Sequence, residues 1–141
     1  MAIQYKISLI NDRLNLLNTD AGNSPVMHIF SGSMPAHCVT ADSGTKLTED
    51  VIPVATGAFM ASASAGAVAK TGTWTLNGLV GAGAGTNAGY FRIMDALIAN
   101  CYMQGTITAT GGGGDMTMDN ISIASAQVIT VNTFAITGGN A

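Results

Sequence analysis

The chain has 141 residues, of which 48% are apolar and only 9% charged, with five Lys or Arg against eight Asp or Glu and a net charge of −3. That length suits one domain with a real core, yet an ordinary soluble domain is about 25% charged. The shortage of Lys and Arg excludes the clustered basic footprint of a nucleic-acid binder, and the apolar content excludes disorder. So few charges leave little to keep copies apart. This points to a surface covered in a permanent assembly, or else to a secreted, hydroxyl-rich β-protein. The stretch MAIQYKISLINDRLNLL is interrupted by Lys6, Asp12 and Arg13 and lacks the apolar run of a signal peptide, which favours assembly. No apolar run approaches the ~18 residues of a membrane span.

Residues 3–18 carry two periodicities. Ile3, Tyr5, Ile7 and Leu9 alternate with Gln4, Lys6 and Ser8, as in a strand, whereas Ile3, Ile7, Ile10, Leu14 and Leu17 follow one face of a helix. The helical series is longer, Asn11, Asn15 and Asn18 form a polar stripe beside it, and Asp20 and Gly22 supply a stop. The expectation is a helix over 3–18 whose Ile3/Ile7/Ile10/Leu14/Leu17 stripe joins the protein's own core. Tyr5, Leu9 and Leu16 form a second apolar patch, nearly opposite, and are expected to face a partner.

The pattern then turns to β. VMHIF (26–30) is a short apolar run closed by SGSMP, and KLTEDVIPV (46–54) contains Pro53, which places it at an edge or a strand end. ASASAGAVAK (61–70) is small-residue and weakly determined. TGTWTLNG (71–78) reads as a strand with Asn77-Gly78 as its turn. AGYFRIM (88–94) and CYMQGTITA (101–109) read as an antiparallel hairpin around DALIAN. GGGG (111–114) is a hinge, and MTMDNISI (116–123) and QVITVNTFAIT (127–137) form the last pair. In that last strand Val128, Thr130, Asn132, Phe134 and Ile136 would share one face, with Ile129, Val131, Thr133, Ala135 and Thr137 on the other. Both faces are fairly apolar, so the strand is expected to be central or packed by another subunit. The fold class is therefore mainly β: an antiparallel β-sandwich or open barrel with one N-terminal α-helix. A single domain spans 1–141, with the helix in 1–20 and the β-rich body in 25–141.

Catalytic signatures are weak. In GLVGAGAGTNAGYFRIM (78–94), Gly83, Gly85 and Ala88 meet the loose dinucleotide spacing. The following residues are aromatic and β-branched rather than helical, no acid lies about twenty residues on, and no P-loop lysine follows. The run is read as a turn, and no cofactor is expected. His28, His37, Cys38 and Asp42 lie close in sequence, but an adjacent His-Cys pair cannot point both side chains inward from a strand. Asp115, Asp119 and Asn120 lack the EF-hand's final Glu and read as a solvated turn. No Ser, Cys or Thr is placed by a motif beside a His and an acid, so no enzyme and no metal are expected. Trp74, Tyr90, Phe91 and Tyr102 are read as core aromatics, with a sugar-stacking platform as the alternative. Met94, Met103, Met116 and Met118 suit irregular gaps, including gaps between subunits. Cys38 and Cys101 fit no metal spacing and are read as two free, half-buried thiols of a chain made in a reducing cytoplasm, with a disulfide as the alternative.

The series SGSMPAHCVTADSGTKL, GTWTLNG, GYFRIMDALIANCYMQGTITATGGGGDMTMDN and a Thr/Val-rich last strand ending ITGGNA resembles a group of small β-rich tailed-bacteriophage virion proteins. Residues 91–120 carry most of the resemblance, and DALIAN departs from the pattern at the hairpin tip. The resemblance implies a virion building block with no catalytic residues, a capsid cement or decoration protein lying between subunits of the major capsid protein. A neck or tail component, or a receptor- or carbohydrate-binding module of a fibre, is the alternative. The expected setting is the virion, assembled in the host cytoplasm, with self-association as a trimer.

Overall fold

The structure, a computed structural model, describes residues 3–54 and 58–138; the last three residues of the ITGGNA ending lie outside them. The helix α1 spans Ile7–Ala21, preceded by Lys6 in extended conformation and ended at Gly22, where φ is 76°. It begins later than the periodicity predicts, and the apolar stripe holds only from its second turn. Ile10 and Leu14 are buried and Leu17 packs on the core, but Ile3 is 74% and Ile7 48% exposed. The reason lies beneath the helix. The end of β9 offers a seat at Gly138, where a Cβ would stand 2.4 Å from Ile10 Cγ2, and Ile3 lies before the first turn of α1, beyond that seat.

The asparagine stripe fixes the helix in register. Asn18 accepts from Met60 N (3.0 Å) and donates to Met60 O (2.9 Å). Asn15 Oδ1 accepts from Ala63 N at 2.8 Å, and Asn11 Oδ1 accepts from Gly66 N at 2.9 Å. Side chains spaced four and three apart on the helix thus meet every third amide of an antiparallel segment. This gives the weakly determined ASASAG stretch its backbone partners.

Among the described residues nine strands follow: β1 (Val26–Ser31), β2 (Lys46–Val51), β3 (Ala67–Ala69), β4 (Trp74–Asn77), β5 (Thr86–Met94), β6 (Cys101–Ala109), β7 (Met116–Met118), β8 (Ser122–Ile123) and β9 (Val128–Thr137). They form one open sheet in the order β2-β1-β5-β6-β7-β9-β3, with β4 also on β9 and β8 on β5. β2 lies at an edge, as Pro53 implies. The sheet curls until β2 and the end of β4 touch through a single Thr48–Gly78 bridge and Leu79 N→Leu47 O (2.8 Å), without closing into a barrel. The β5–β6 hairpin forms as expected.

Three pairings depart from the sequence reading. β6 and β7 run parallel, Ile107–Ala109 against Met116–Met118, across the GGGG return. Residues 116–123 split: β7 pairs with β9, while β8 crosses to Thr86 and Asn87 of β5. Gly78 is no hairpin turn; it sits where a Cβ would strike Ala124 O at 1.9 Å and bonds to the 126–127 backbone. β9 is central, as expected, but its alternation breaks. The register shifts opposite Thr117/Met118, so Asn132 is an extra residue and the buried set runs Ile129, Val131, Phe134.

Trp74, Phe91 and Phe134 meet in the core, with ring centroids 5.3–5.7 Å apart along the chain of contacts, and Met116 and Met118 fill in beside them. Replacing Leu14 with Ala should cost about 2–5 kcal/mol of stability in denaturant melts. Replacing Asn18 with Ala, which orphans both Met60 backbone groups, should cost about 1–3 kcal/mol.

Candidate functional site

β1 is buried on both faces, which is why VMHIF shows no alternation. Met27 and Ile29 face the core, and His28 and Phe30 face outward beneath the β1–β2 loop, residues 32–45. That loop crosses the outer face so closely that a Cβ on Gly44 would lie 1.9 Å from Ser31 O, and one on Gly89 1.9 Å from Gly32 O.

Alternate residues of the β5–β6 hairpin hold the loop down. The Tyr90 hydroxyl accepts from Ser43 N and donates to Ser43 O, both at 2.9 Å, in place of a strand partner. Arg92, 3% exposed, donates from Nη1 to Asp42 Oδ1 (2.6 Å), from Nε to Gln104 Oε1 (3.2 Å) and from Nη2 to the His37 carbonyl (3.4 Å). Gln104 Nε2 donates to Pro35 O at 2.6 Å. Cys38 and Cys101 then form a disulfide, with Cα atoms 5.5 Å apart across 63 residues. This corrects the expectation of free thiols: the crossing loop delivers Cys38 to the start of β6, a proximity that sequence distance hides. A shallow cavity of about 410 Å³ beside the disulfide is lined by Val39, Asp42, Arg92 and Met94.

His28 is enclosed here as well. It is 2% exposed, its ring lies 5.9 Å from Phe30, and its Nε2 approaches Glu49 Oε2 at 3.3 Å without hydrogen-bond alignment, so both nitrogens go unpaired among the described residues. Burial chiefly, then Lys46, lowers its pKa, against the weaker pull of Glu49 and Asp42. Lys46 in turn pairs closely with Glu49, and that bond lowers the Glu49 pKa.

The other candidate residues separate. His37 and Cys38 lie in the loop, with His28 under it, and no group of three or more His, Cys, Asp or Glu able to hold a metal occurs among the described residues. The glycine run forms a 3-10 turn, Val80–Ala82, leading directly into β5, so no helix N-terminus faces it. Asp115 Oδ2 accepts from Thr106 N (2.8 Å) and Oγ1 (2.7 Å), while Asp119 Oδ1 accepts from Asn120 N (2.8 Å) and Thr130 N (3.0 Å). At the hairpin tip Asp95 holds DALIAN in the same way, bonding Ala99 N and Asn100 Nδ2. Trp74, Tyr90 and Phe91 are buried, which removes them from any sugar-stacking platform; Tyr102 is 41% exposed. Tyr5, Leu9 and Leu16 are exposed at 41%, 46% and 53%, with Arg13 over the Tyr5 ring at 5.6 Å. No helix of the described residues is long and apolar enough to cross a membrane.

The clamp escaped the sequence reading, although the alternation of Tyr90, Arg92 and Met94 opposite Phe91 and Ile93 was a signal for a second covered face. No family model, curated protein or solved structure matches the chain.

Because the folded pKa of His28 lies below its unfolded value, the unfolded state binds the extra proton. The stability is present above the unfolded value near 6.5 and is lost as pH falls through it toward the folded pKa. Melting temperature should therefore drop between pH 7.5 and 5 (roughly the His range), and His28→Leu should flatten that slope. Reducing the disulfide should lower stability by about 2–4 kcal/mol, given the long loop it closes.

Proposed function

We propose that this chain is a structural protein of a tailed-phage virion, a cement or decoration protein that lies between major capsid subunits and stiffens the head. Residues 91–120 carry the resemblance behind this reading. The observation that carries it structurally is large apolar side chains left in water on a chain with little charge. Val39 is 95%, Val80 86%, Leu97 85%, Leu16 53% and Leu9 46% exposed, while 9% of residues are charged. Isolated exposed leucines are ordinary. Exposed apolar tips with so few charges between them favour burial by neighbours.

In this reading Tyr5, Leu9 and Leu16 face the partner, and copies associate around a symmetry axis, as a trimer. The clamped loop supports it too, since a cement must present a rigid surface and ordering a mobile one on binding costs affinity. A disulfide also suits a particle that leaves the reducing cytoplasm in which it was assembled.

Co-expression with a major capsid protein, followed by gradient sedimentation, tests the reading. The chain should travel with assembled heads in fixed stoichiometry, and Leu9→Asp should weaken that association while leaving the melting temperature unchanged. A chain that stays at the top of the gradient with intact heads below it would overturn the capsid assignment.

A further inference from the structure

β7 separates β6 from β9 over only three residues. There Ile107–Ala109 pair with Met116–Met118, which pair in turn with β9. The two outer strands therefore stand two strand spacings apart, each about 4.8 Å. Both continue past the start of β7, β6 back to Cys101 and β9 on to Thr137, and no described strand lies between them. The interval is an open slot one strand wide. Met103, Gln104, Phe134 and Ile136 line a cavity of about 360 Å³ in it. Arg13, Leu14 and Leu17 of α1 roof an adjoining cavity of about 330 Å³ that shares Met103 and Ile136. Asp115 closes the inner end, its carboxylate taking the Thr106 amide as a strand carbonyl would.

The same chain carries a segment suited to the slot. Residues 3–6 lie outside every helix and strand, and the backbone at Lys6 is extended. Ile3 and Tyr5 are 74% and 41% exposed and alternate with Gln4 and Lys6, so as a strand the segment would present one apolar and one polar side. The charge matches as well: Lys6 falls on the polar side, which the Asp115 carboxylate shares at the slot's inner end.

We propose that residues 3–6 of one copy enter the slot of a second copy as an added strand running in the direction of β7. Ile3 turns inward against Met103 and Ile136, Tyr5 follows on the same side, and Lys6 lies outward beside Asp115. Main-chain bonds to the β6 and β9 edges supply affinity, and the alternating side chains set register. In its own chain Ile7 stands near Gly66, whose carbonyl holds the Gly138 that follows β9 at the slot's outer end, so the Lys6 that meets Asp115 at the inner end comes from a second copy. The inference rests on the self-association part of the proposed function and is independent of the capsid assignment.

The test uses the full chain and its Ile3→Asp variant in sedimentation, with carbodiimide cross-linking of an equal mixture of unlabelled and isotope-labelled chains. The wild type should associate, and Ile3→Asp should weaken association about ten-fold or more. The variant should keep its melting temperature, since Ile3 is 74% exposed. Lys6–Asp115 cross-links should join labelled to unlabelled chains. An Ile3→Asp variant that associates like the wild type overturns the strand exchange and leaves self-association standing. Cross-links confined within single chains also overturn it. A wild type that stays monomeric at tens of micromolar (on the order of ordinary assay levels) removes both.

Discussion

A guanidinium at 3% exposure must be met on every side, and the outer half of this molecule is arranged around that requirement. Leaving such a charge uncompensated costs several kcal/mol. The neighbouring strands supply only Gln104. The anion, Asp42, and a carbonyl, His37 O, come from a loop that has no regular structure of its own. Once Arg92 fixes the loop's course, the rest follows from proximity. Tyr90 finds Ser43, Phe30 stacks on Tyr90 at 5.0 Å, and His28 loses its water. The loop's backbone, unable to join a ladder, finds its bonds in side chains instead.

What the sequence made legible and what it hid divide along a physical line. Features set by local patterning could be read: the β-rich class, a single helix, the β5–β6 hairpin, an edge strand marked by Pro53. Features set by contacts distant in sequence could not. The Cys38–Cys101 bond depends on a loop crossing a sheet. The extra residue at Asn132 depends on the register of β7 against β9, and nothing in QVITVNTFAIT announces it. Ile3 and Ile7 satisfy the helical period as well as Ile10 does, and only the extent of the underlying sheet decides which of them is covered. At the candidate partner face, the sequence placed Tyr5, Leu9 and Leu16 on one patch of the helix; Tyr5 stands before α1, and the exposure of Leu9 and Leu16 follows from the position of the asparagine stripe rather than from their own character.

That stripe also explains why a low-complexity segment folds. ASASAG has no side chain large enough to anchor it, so its position has to be specified by whatever reads its backbone. Three asparagines on a rigid helix do so, two at Ala63 and Gly66 within the stretch and one at Met60 just before it. A helix with valines or leucines there would have gained area and lost register.

Gly66 stands where two of these arrangements meet. Its amide donates to Asn11 of the helix, and its carbonyl accepts from Gly138 at the end of β9 (2.8 Å). One residue thus latches the first and last regular elements of the chain to each other. Opening either one removes a support of the other, so the two belong to one cooperative unit despite their separation in sequence. In hydrogen exchange the amides of Gly66 and Gly138 should therefore share one opening event.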